Sequence, residues 1–148
     1  MNRWLTIIPF MGIPVLIYLL IALFSPGTSE TNAPAIVARL DAAMFGMPMI
    51  SGSTWRFRLG DLIMLIGLIT LAIEIVKSTS TKSTAIANHA ASMGLMVVCL
   101  IFFLAFSSFS TSVFFFLTMM TVLDVLAGVM VSIVAARRDF GVGDGFGG

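Results

Sequence analysis

Four long runs of apolar residues, separated by polar segments, dominate the hydrophobic pattern of this chain. They cover approximately residues 4–24, 59–77, 85–106 and 112–136. A helix rises about 1.5 Å per residue, so about 20 residues cross the roughly 30 Å hydrocarbon core of a bilayer. Backbone amides in lipid must bond within their own segment, and the alternating segments of a membrane barrel are absent. The pattern therefore predicts an all-α domain, residues 1–140, that is a bundle of four transmembrane helices.

The connections between these runs predict how the helices are arranged. Residues 25–58 form the one sizeable loop, on the outer side, in which Ala35–Phe45 is expected to form a short amphipathic helix. The apolar stretch Phe45–Ile50 is expected to lie at the membrane interface. The links at 78–84 and 107–112 are short, so consecutive helices are predicted to be antiparallel neighbours. A hydroxyl group of the second link is expected to cap the fourth helix.

The basic residues of the loops predict the orientation of the bundle. With the N-terminus inside, the inner side carries Arg3, Lys77, Lys82, Arg137 and Arg138, and the outer side carries Arg39, Arg56 and Arg58. Because lysine and arginine are enriched on the cytoplasmic side, this distribution favours an N-in/C-in topology in a bacterial inner membrane. The glycine-rich tail, residues 141–148, is expected to be flexible.

Composition agrees with a membrane protein and narrows its chemistry. The 148 residues are 59% hydrophobic and 10% charged, whereas soluble domains average about 25% charged. A net charge of +1 offers no basic field for nucleic acid. The chain has one cysteine and one histidine, which excludes an internal disulfide and bis-histidine haem ligation, so no metal and no cofactor is predicted. Cys99 is expected to be a small buried hydrophobe.

Asp124 is the anomaly of the fourth apolar run, because it lies near the middle of that run. A carboxyl group at the bilayer midplane costs roughly 2.5–3.5 kcal/mol on insertion scales and therefore needs a reason. Thr121, Asp124, Gly128 and Ser132 form a stripe of small and polar residues on one helix face, which is typical of close helix packing. Asp124 is thus either a polar contact inside a helix interface or a proton or cation site.

Glu74 and His89 are the other candidates for proton or ion chemistry. Folding the second and third helices about residue 81 places these two side chains level with each other, and such a pair could accept and pass a proton. The alternative is that Glu74 pairs with Lys77 one turn on, both reaching towards the interface. The same construction places Asp124 level with Leu95, about 9 Å from His89 along the membrane normal by the helical rise.

The chain resembles small four-helix bacterial inner-membrane proteins of uncharacterised function. The likeness depends on Gly60-Asp61-Leu62 at the start of the second helix, Asp124 in the fourth, and the exit Ala136-Arg137-Arg138-Asp139. It covers the topology along most of the chain, and it implies the bundle but no activity.

These observations favour a non-catalytic accessory or structural subunit of a larger or homo-oligomeric membrane complex. Its partners would be the lipid bilayer and other membrane subunits or further copies of itself. The alternative is a small proton- or cation-coupled transporter or channel that uses Asp124. A weaker alternative is an enzyme acting on a lipid, which would require Arg56, Arg58 and Asp61 to converge on an outward-facing pocket. The sequence has no serine elbow, phosphate loop or paired carboxylates, so no catalytic residue is predicted.

Overall fold

The computed structural model describes residues 9–25, 27, 34–78 and 84–141, with the side chains of 84–86 and 135–141 outside the description. Most of this part of the chain is helical, as the hydrophobic pattern predicts. In chain order, the elements are α1 (Gly12–Leu23), α2 (Ala35–Leu40), β1 (Ala43–Pro48), β2 (Thr54–Arg58), α3 (Leu59–Ser78), α4 (Thr84–Ala105), a short 3-10 turn (Ser107–Phe109) and α5 (Ser112–Gly141).

Three described helices are long and apolar enough to cross a membrane. They are α3 over its whole length, α4 from Ala87 to Ala105, and α5 from Ser112 to Val134. Helix α1 is apolar but has 12 residues, and its rise of about 18 Å is shorter than a hydrocarbon core of about 30 Å. Residues 4–8, where the first predicted span begins, lie outside the described residues. The structure therefore supports three of the four predicted spans at full length.

Helix α5 lies at the centre of the bundle and packs against both α3 and α4, while α1 packs against α3 and α5. Glycines set the closest approach of α3 to α5. A methyl group at Gly67 would lie 2.8 Å from Leu117 Cδ2 and 2.9 Å from Met120 Sδ, and one at Gly60 would lie 2.9 Å from Val113 Cγ2. Without side chains at these two positions, the helix backbones come together closely, as small residues allow in membrane bundles.

Tyr18 of α1 is hydrogen-bonded to the segment that precedes α5. This contact lies at the end of the bundle where α3 begins. Tyr18 Oη donates its one proton to the backbone oxygen of Ser108 (2.9 Å). The Thr111 hydroxyl, 2.6 Å away, therefore donates to Tyr18 Oη. Thr111 Oγ1 also accepts a hydrogen bond from the backbone nitrogen of Phe114 at 3.2 Å, which satisfies an otherwise unpaired donor in the first turn of α5. The predicted hydroxyl cap is thereby confirmed.

A β-hairpin occupies the loop before α3, and its presence corrects the all-α prediction. The helix expected over Ala35–Phe45 ends at Leu40, and β1 then pairs antiparallel with β2, with Phe45 opposite Phe57. The connecting turn closes through a hydrogen bond of 2.9 Å from the nitrogen of Gly52 to the oxygen of Met49, with Gly52 at φ +82°. Gly46 and Pro48 disfavour a helix here, because one is flexible and the other lacks an amide proton. We call the end of the bundle that carries this hairpin the hairpin end.

An apolar cavity of about 250 Å³ separates α1 from α4. Cys99 contributes to its wall and is fully buried, as predicted. Its lining also includes Val15 and Leu19 from α1 and Phe102 from α4. The sole cysteine of the chain is therefore a thiol that becomes accessible only when the helices separate.

Candidate functional site: a buried polar cluster

Six polar side chains gather between α3, α4 and α5 at the end of the bundle away from the hairpin. We call this set the polar cluster, and its members are Glu74, Lys77, Asn88, His89, Ser92 and Asp124. Four of them are less than one-tenth exposed, namely Glu74, Asn88, Ser92 and Asp124. Polar groups taken out of water at such depth must find partners within the protein, because an unpartnered one costs free energy.

Glu74 is the most thoroughly bonded member of the cluster, and no part of its surface is exposed. Its Oε1 atom accepts hydrogen bonds from Lys77 Nζ at 3.2 Å and from Asn88 Nδ2 at 2.6 Å. Its Oε2 atom accepts one from the backbone nitrogen of Phe10 at 2.9 Å, just before α1. Each carboxylate oxygen thus has a donor, and one side chain joins α3, α4 and the start of α1.

Lys77 completes a closed ring of contacts with Glu74 and Asn88. Its Nζ donates to Asn88 Oδ1 at 2.8 Å and lies 4.6 Å from the centre of the Phe10 ring. The Lys77 side chain is 20% exposed, whereas that of Glu74 is 1% exposed. The ion pair is therefore the one that the sequence offered as the alternative to a Glu74–His89 pair, but Glu74 is buried rather than extended to the interface.

His89 faces a different helix from the one that the sequence suggested. Asn88 takes the position opposite Glu74, and the imidazole ring of His89 lies against α5 at Gly128. A methyl group at Gly128 would lie 2.5 Å from Nδ1 and 2.9 Å from Cε1 of His89. Consecutive residues on a helix point about 100° apart, so Asn88 and His89 cannot both face Glu74.

The stripe of small residues on α5 divides between the inside and the outside of the bundle. Thr121 and Gly128 are buried, and Ser132 is exposed. Both hydroxyl groups bond back to their own helix: Thr121 donates to the backbone oxygen of Thr118 at 2.7 Å, and Ser132 donates to that of Gly128 at 2.9 Å. The part of the stripe from Thr121 to Gly128, which includes Asp124, therefore packs against other helices of the same chain.

Asp124 is 5% exposed and points towards α4. The side chain that it faces there is Ser92, 3% exposed, whose hydroxyl has no hydrogen bond of ordinary geometry among the described residues. The ionisable groups that act on Asp124 electrostatically are Glu74, His89 and Lys77. Unlike Glu74, the Asp124 carboxyl therefore has a nearby hydroxyl but no ring of close donors.

Among the described residues, the polar cluster holds two acids and one lysine. With both carboxyl groups ionised and Lys77 positive, two negative charges and one positive charge leave a net charge of −1. An uncompensated charge in an apolar interior costs several kcal/mol by the usual estimates. A proton carried by Asp124 or by His89 would restore neutrality. Glu74 is held by three donors, whereas Asp124 faces the single hydroxyl of Ser92.

Sequence reasoning missed two members of this cluster, Asn88 and Ser92. A signal was available, because the two are four residues apart and so lie on one face of α4. The observed register of Asp124 against α4 also differs from the predicted one by about one helical turn. Asp124 faces Ser92, whereas the prediction placed it level with Leu95.

Two of the three polar groups proposed for a lipid-acting enzyme, Arg58 and Asp61, are engaged with the protein. Arg58 Nη1 lies 3.0 Å from Asp41 Oδ1 in an exposed ion pair. Asp61 Oδ2 accepts a hydrogen bond of 2.9 Å from the backbone nitrogen of Arg58, which caps the first turn of α3. Arg56 is exposed on β2. Among the described residues, no three histidine, cysteine, aspartate or glutamate side chains meet as metal ligands would.

The long apolar helices of the fold indicate the class of protein, a membrane protein. No family model, curated protein or solved structure matches the chain. The fold is mostly helical, and its three long apolar helices indicate a membrane protein. Within that class, the distinguishing features are the buried acids between the helices and the hairpin that precedes α3.

Proposed function

We propose that this chain is a small proton-coupled membrane protein, a transporter or channel in which Asp124 carries the exchangeable proton. The observation that supports this most directly is the buried Asp124 carboxyl, 5% exposed, beside a Ser92 hydroxyl that lacks an ordinary hydrogen bond. Acidic residues buried inside membrane bundles are typical of proton and ion pathways.

In this proposal, the parts of the polar cluster have separate roles. Glu74, Lys77 and Asn88 form a rigid anchor, because each of them bonds to the other two. His89 is partly exposed and provides the entry for a proton from the end of the bundle away from the hairpin. Asp124 receives that proton nearer the middle of α5.

The orientation forms part of the same proposal: four spans in a bacterial inner membrane, with both termini in the cytoplasm. Supporting it, Lys77 near the end of α3 and the Arg137-Arg138 pair near the end of α5 lie at the end of the bundle away from the hairpin. The polar cluster would then face the cytoplasm. A C-terminal fusion to a reporter that is active only in the periplasm should stay inactive, and strong activity would reverse the orientation.

Proton flux into liposomes tests the role of Asp124. The purified protein is reconstituted with a pH-sensitive dye inside, and a potassium diffusion potential drives protons inwards. We expect faster acidification than in protein-free liposomes, and we expect Asp124→Asn to return the rate to that background. Asp61→Asn is the matched control, because Asp61 caps α3 near the hairpin and should leave the flux unchanged.

Two results would reject a proton channel, and the second of them would also reject Asp124 as the proton carrier of a transporter. One is wild-type flux no faster than that of empty liposomes, and the other is an Asp124→Asn rate equal to wild type. Infrared spectroscopy provides a second measurement that needs no flux. The band of a protonated carboxyl group should be present in the wild type and absent in Asp124→Asn. If the same liposomes show a sodium or potassium flux in place of a proton flux, the transported ion is that cation.

A second candidate is a non-catalytic accessory or structural subunit of a larger or homo-oligomeric membrane complex. The observation that favours it is the saturation of Glu74 by three donors from Phe10, Lys77 and Asn88, which is typical of a structural network. Gentle detergent extraction followed by mass analysis of the intact complex tests it. A defined assembly with other membrane proteins would favour the subunit, and a lone monomer would reject it.

A further inference from the structure

The β-hairpin presents a row of large apolar side chains that nothing in the described structure covers. Residues directly opposite in an antiparallel pair point to the same face, so Phe45 and Phe57 share a face with Met47 and Trp55. The two phenylalanine rings stack with their centres 4.9 Å apart, and Trp55 meets Phe57 edge-on at 5.6 Å. Phe45, Met47 and Trp55 are each 48% exposed.

The opposite face of the hairpin is polar and carries a cation. Arg56 lies opposite Gly46, and Thr54 lies opposite Pro48. Arg56 is exposed, and it belongs to neither of the two ion pairs that the described residues form. The turn between the strands contains Ile50, whose side chain is fully exposed. The hairpin is therefore amphipathic, with aromatic side chains on one face and an available arginine on the other.

The position of the hairpin along the chain places it at a membrane surface. Strand β2 ends at Arg58, and α3, one of the three helices able to cross a membrane, begins at Leu59. Among the described residues, β1 and β2 pair with each other in a two-stranded sheet, so each strand leaves an open edge of backbone groups there. Hydrocarbon does not tolerate open edges, whereas the hydrated headgroup layer does. The hairpin thus fits the boundary between headgroups and acyl chains, and not the bilayer core.

We infer that the hairpin is an interfacial anchor whose partner is the phospholipid of the adjacent leaflet. The face formed by Phe45, Met47, Trp55 and Phe57 enters the boundary between headgroups and acyl chains, as aromatic belts do. Arg56, on the other face, binds the phosphate groups of neighbouring lipids, because its guanidinium matches phosphate in charge and geometry. This inference is independent of proton transfer at Asp124.

Tryptophan fluorescence tests the anchor directly. The chain has two tryptophans, so the variant Trp4→Phe leaves Trp55 as the only one. The variant is reconstituted in phosphatidylcholine vesicles whose acyl chains carry bromine either close to the headgroup or near the terminal methyl group. We expect emission at shorter wavelength than that of indole in water. Quenching should be strong by the bromine near the headgroup and weaker by the deep bromine.

Two other outcomes would overturn the inference. Emission typical of indole in water, with quenching by aqueous iodide and none by bromolipid, would place the hairpin in solvent. Emission at short wavelength without bromolipid quenching would mean that protein, including a second copy of this chain, covers the aromatic face. If Trp4→Phe does not fold, the difference between the wild-type and Trp55→Phe signals gives the same readout.

The role of Arg56 is tested by adding phosphatidylglycerol to the same vesicles. Bromolipid quenching of Trp55 should increase with anionic lipid in the Trp4→Phe background and lose this dependence when Arg56→Gln is added. Arg39→Gln is the matched control, because Arg39 lies on α2 outside the hairpin and should leave the dependence intact. If the Arg56→Gln variant and its parent respond equally to phosphatidylglycerol, Arg56 does not bind lipid phosphate.

Discussion

Replacing Glu74 by leucine should destabilise the bundle strongly, because it strands three donors. Lys77 Nζ, Asn88 Nδ2 and the backbone nitrogen of Phe10 all donate to this one carboxylate. Breaking a buried ion pair by removing one partner costs about 3–5 kcal/mol, and here the charge of Lys77 loses the carboxylate with which it pairs. Adding Lys77→Met removes that charge. The double variant should therefore recover a large part of the loss, by about 1–4 kcal/mol on the same reasoning.

The buried thiol of Cys99 provides the assay. It is the only cysteine and is fully buried, so a maleimide dye that fluoresces on reaction reports thermal unfolding in mild detergent. Glu74→Leu should react at the lowest temperature and the double variant at a higher one. The matched control is the exposed pair of Asp41 with Arg58, 60% and 52% exposed, whose removal should cost less than about 1 kcal/mol. If Glu74→Leu melts with wild type, or if the double variant is as unstable as the sum of both single changes, the ion-pair argument is refuted.

Two further substitutions test α5, one its packing against α3 and the other the cap at its start. Gly67→Ala would place its methyl group 2.8 Å from Leu117 Cδ2 and should cost about 1–3 kcal/mol of stability by overpacking. Gly94→Ala is the matched control, because its methyl group meets nothing within 4 Å, and it should be neutral or up to about 1 kcal/mol more stable. Equal melting temperatures of the two variants would contradict this expectation. Thr111→Val removes the cap of α5 and should cost about 0.5–2 kcal/mol, while Thr111→Ser retains the hydroxyl and should melt with wild type.

Hydropathy was sufficient to predict the long helices but not the ends of the bundle. α3, α4 and α5 follow from apolar runs near 20 residues, because a run of that length has few alternatives to a spanning helix. The cap at Thr111 was predictable for a similar reason: a hydroxyl residue directly before an apolar run is a strong start signal. The β-hairpin is hard to predict because Gly46 and Pro48 interrupt the apolar segment and are both unfavourable within a strand. The alternation of Phe45 with Met47, and of Trp55 with Phe57, was the signal of a strand.

The contacts of the polar cluster were harder to predict, because they depend on helix rotation. Loop lengths predicted that α3 and α4 meet near Glu74 at the end of the bundle away from the hairpin, and they do. Which residue of α4 faces Glu74 changes with a rotation of about 100°, the angle between consecutive residues, and sequence spacing does not define that rotation. The ion pair with Lys77 was foreseen as an alternative, since residues three apart on one helix are neighbours regardless of how the helix is rotated.

The two buried acids of this bundle are in contrasting environments, and the contrast explains why Asp124 is the better candidate for proton exchange. Glu74 lies where three donors converge on it from α3, α4 and the start of α1. A proton added to Glu74 would remove the negative charge that strengthens all three of these bonds. Asp124 faces a single hydroxyl, that of Ser92, which has no partner of ordinary geometry among the described residues. A proton on Asp124 would convert the carboxyl into a donor for that hydroxyl and would alter only this one contact.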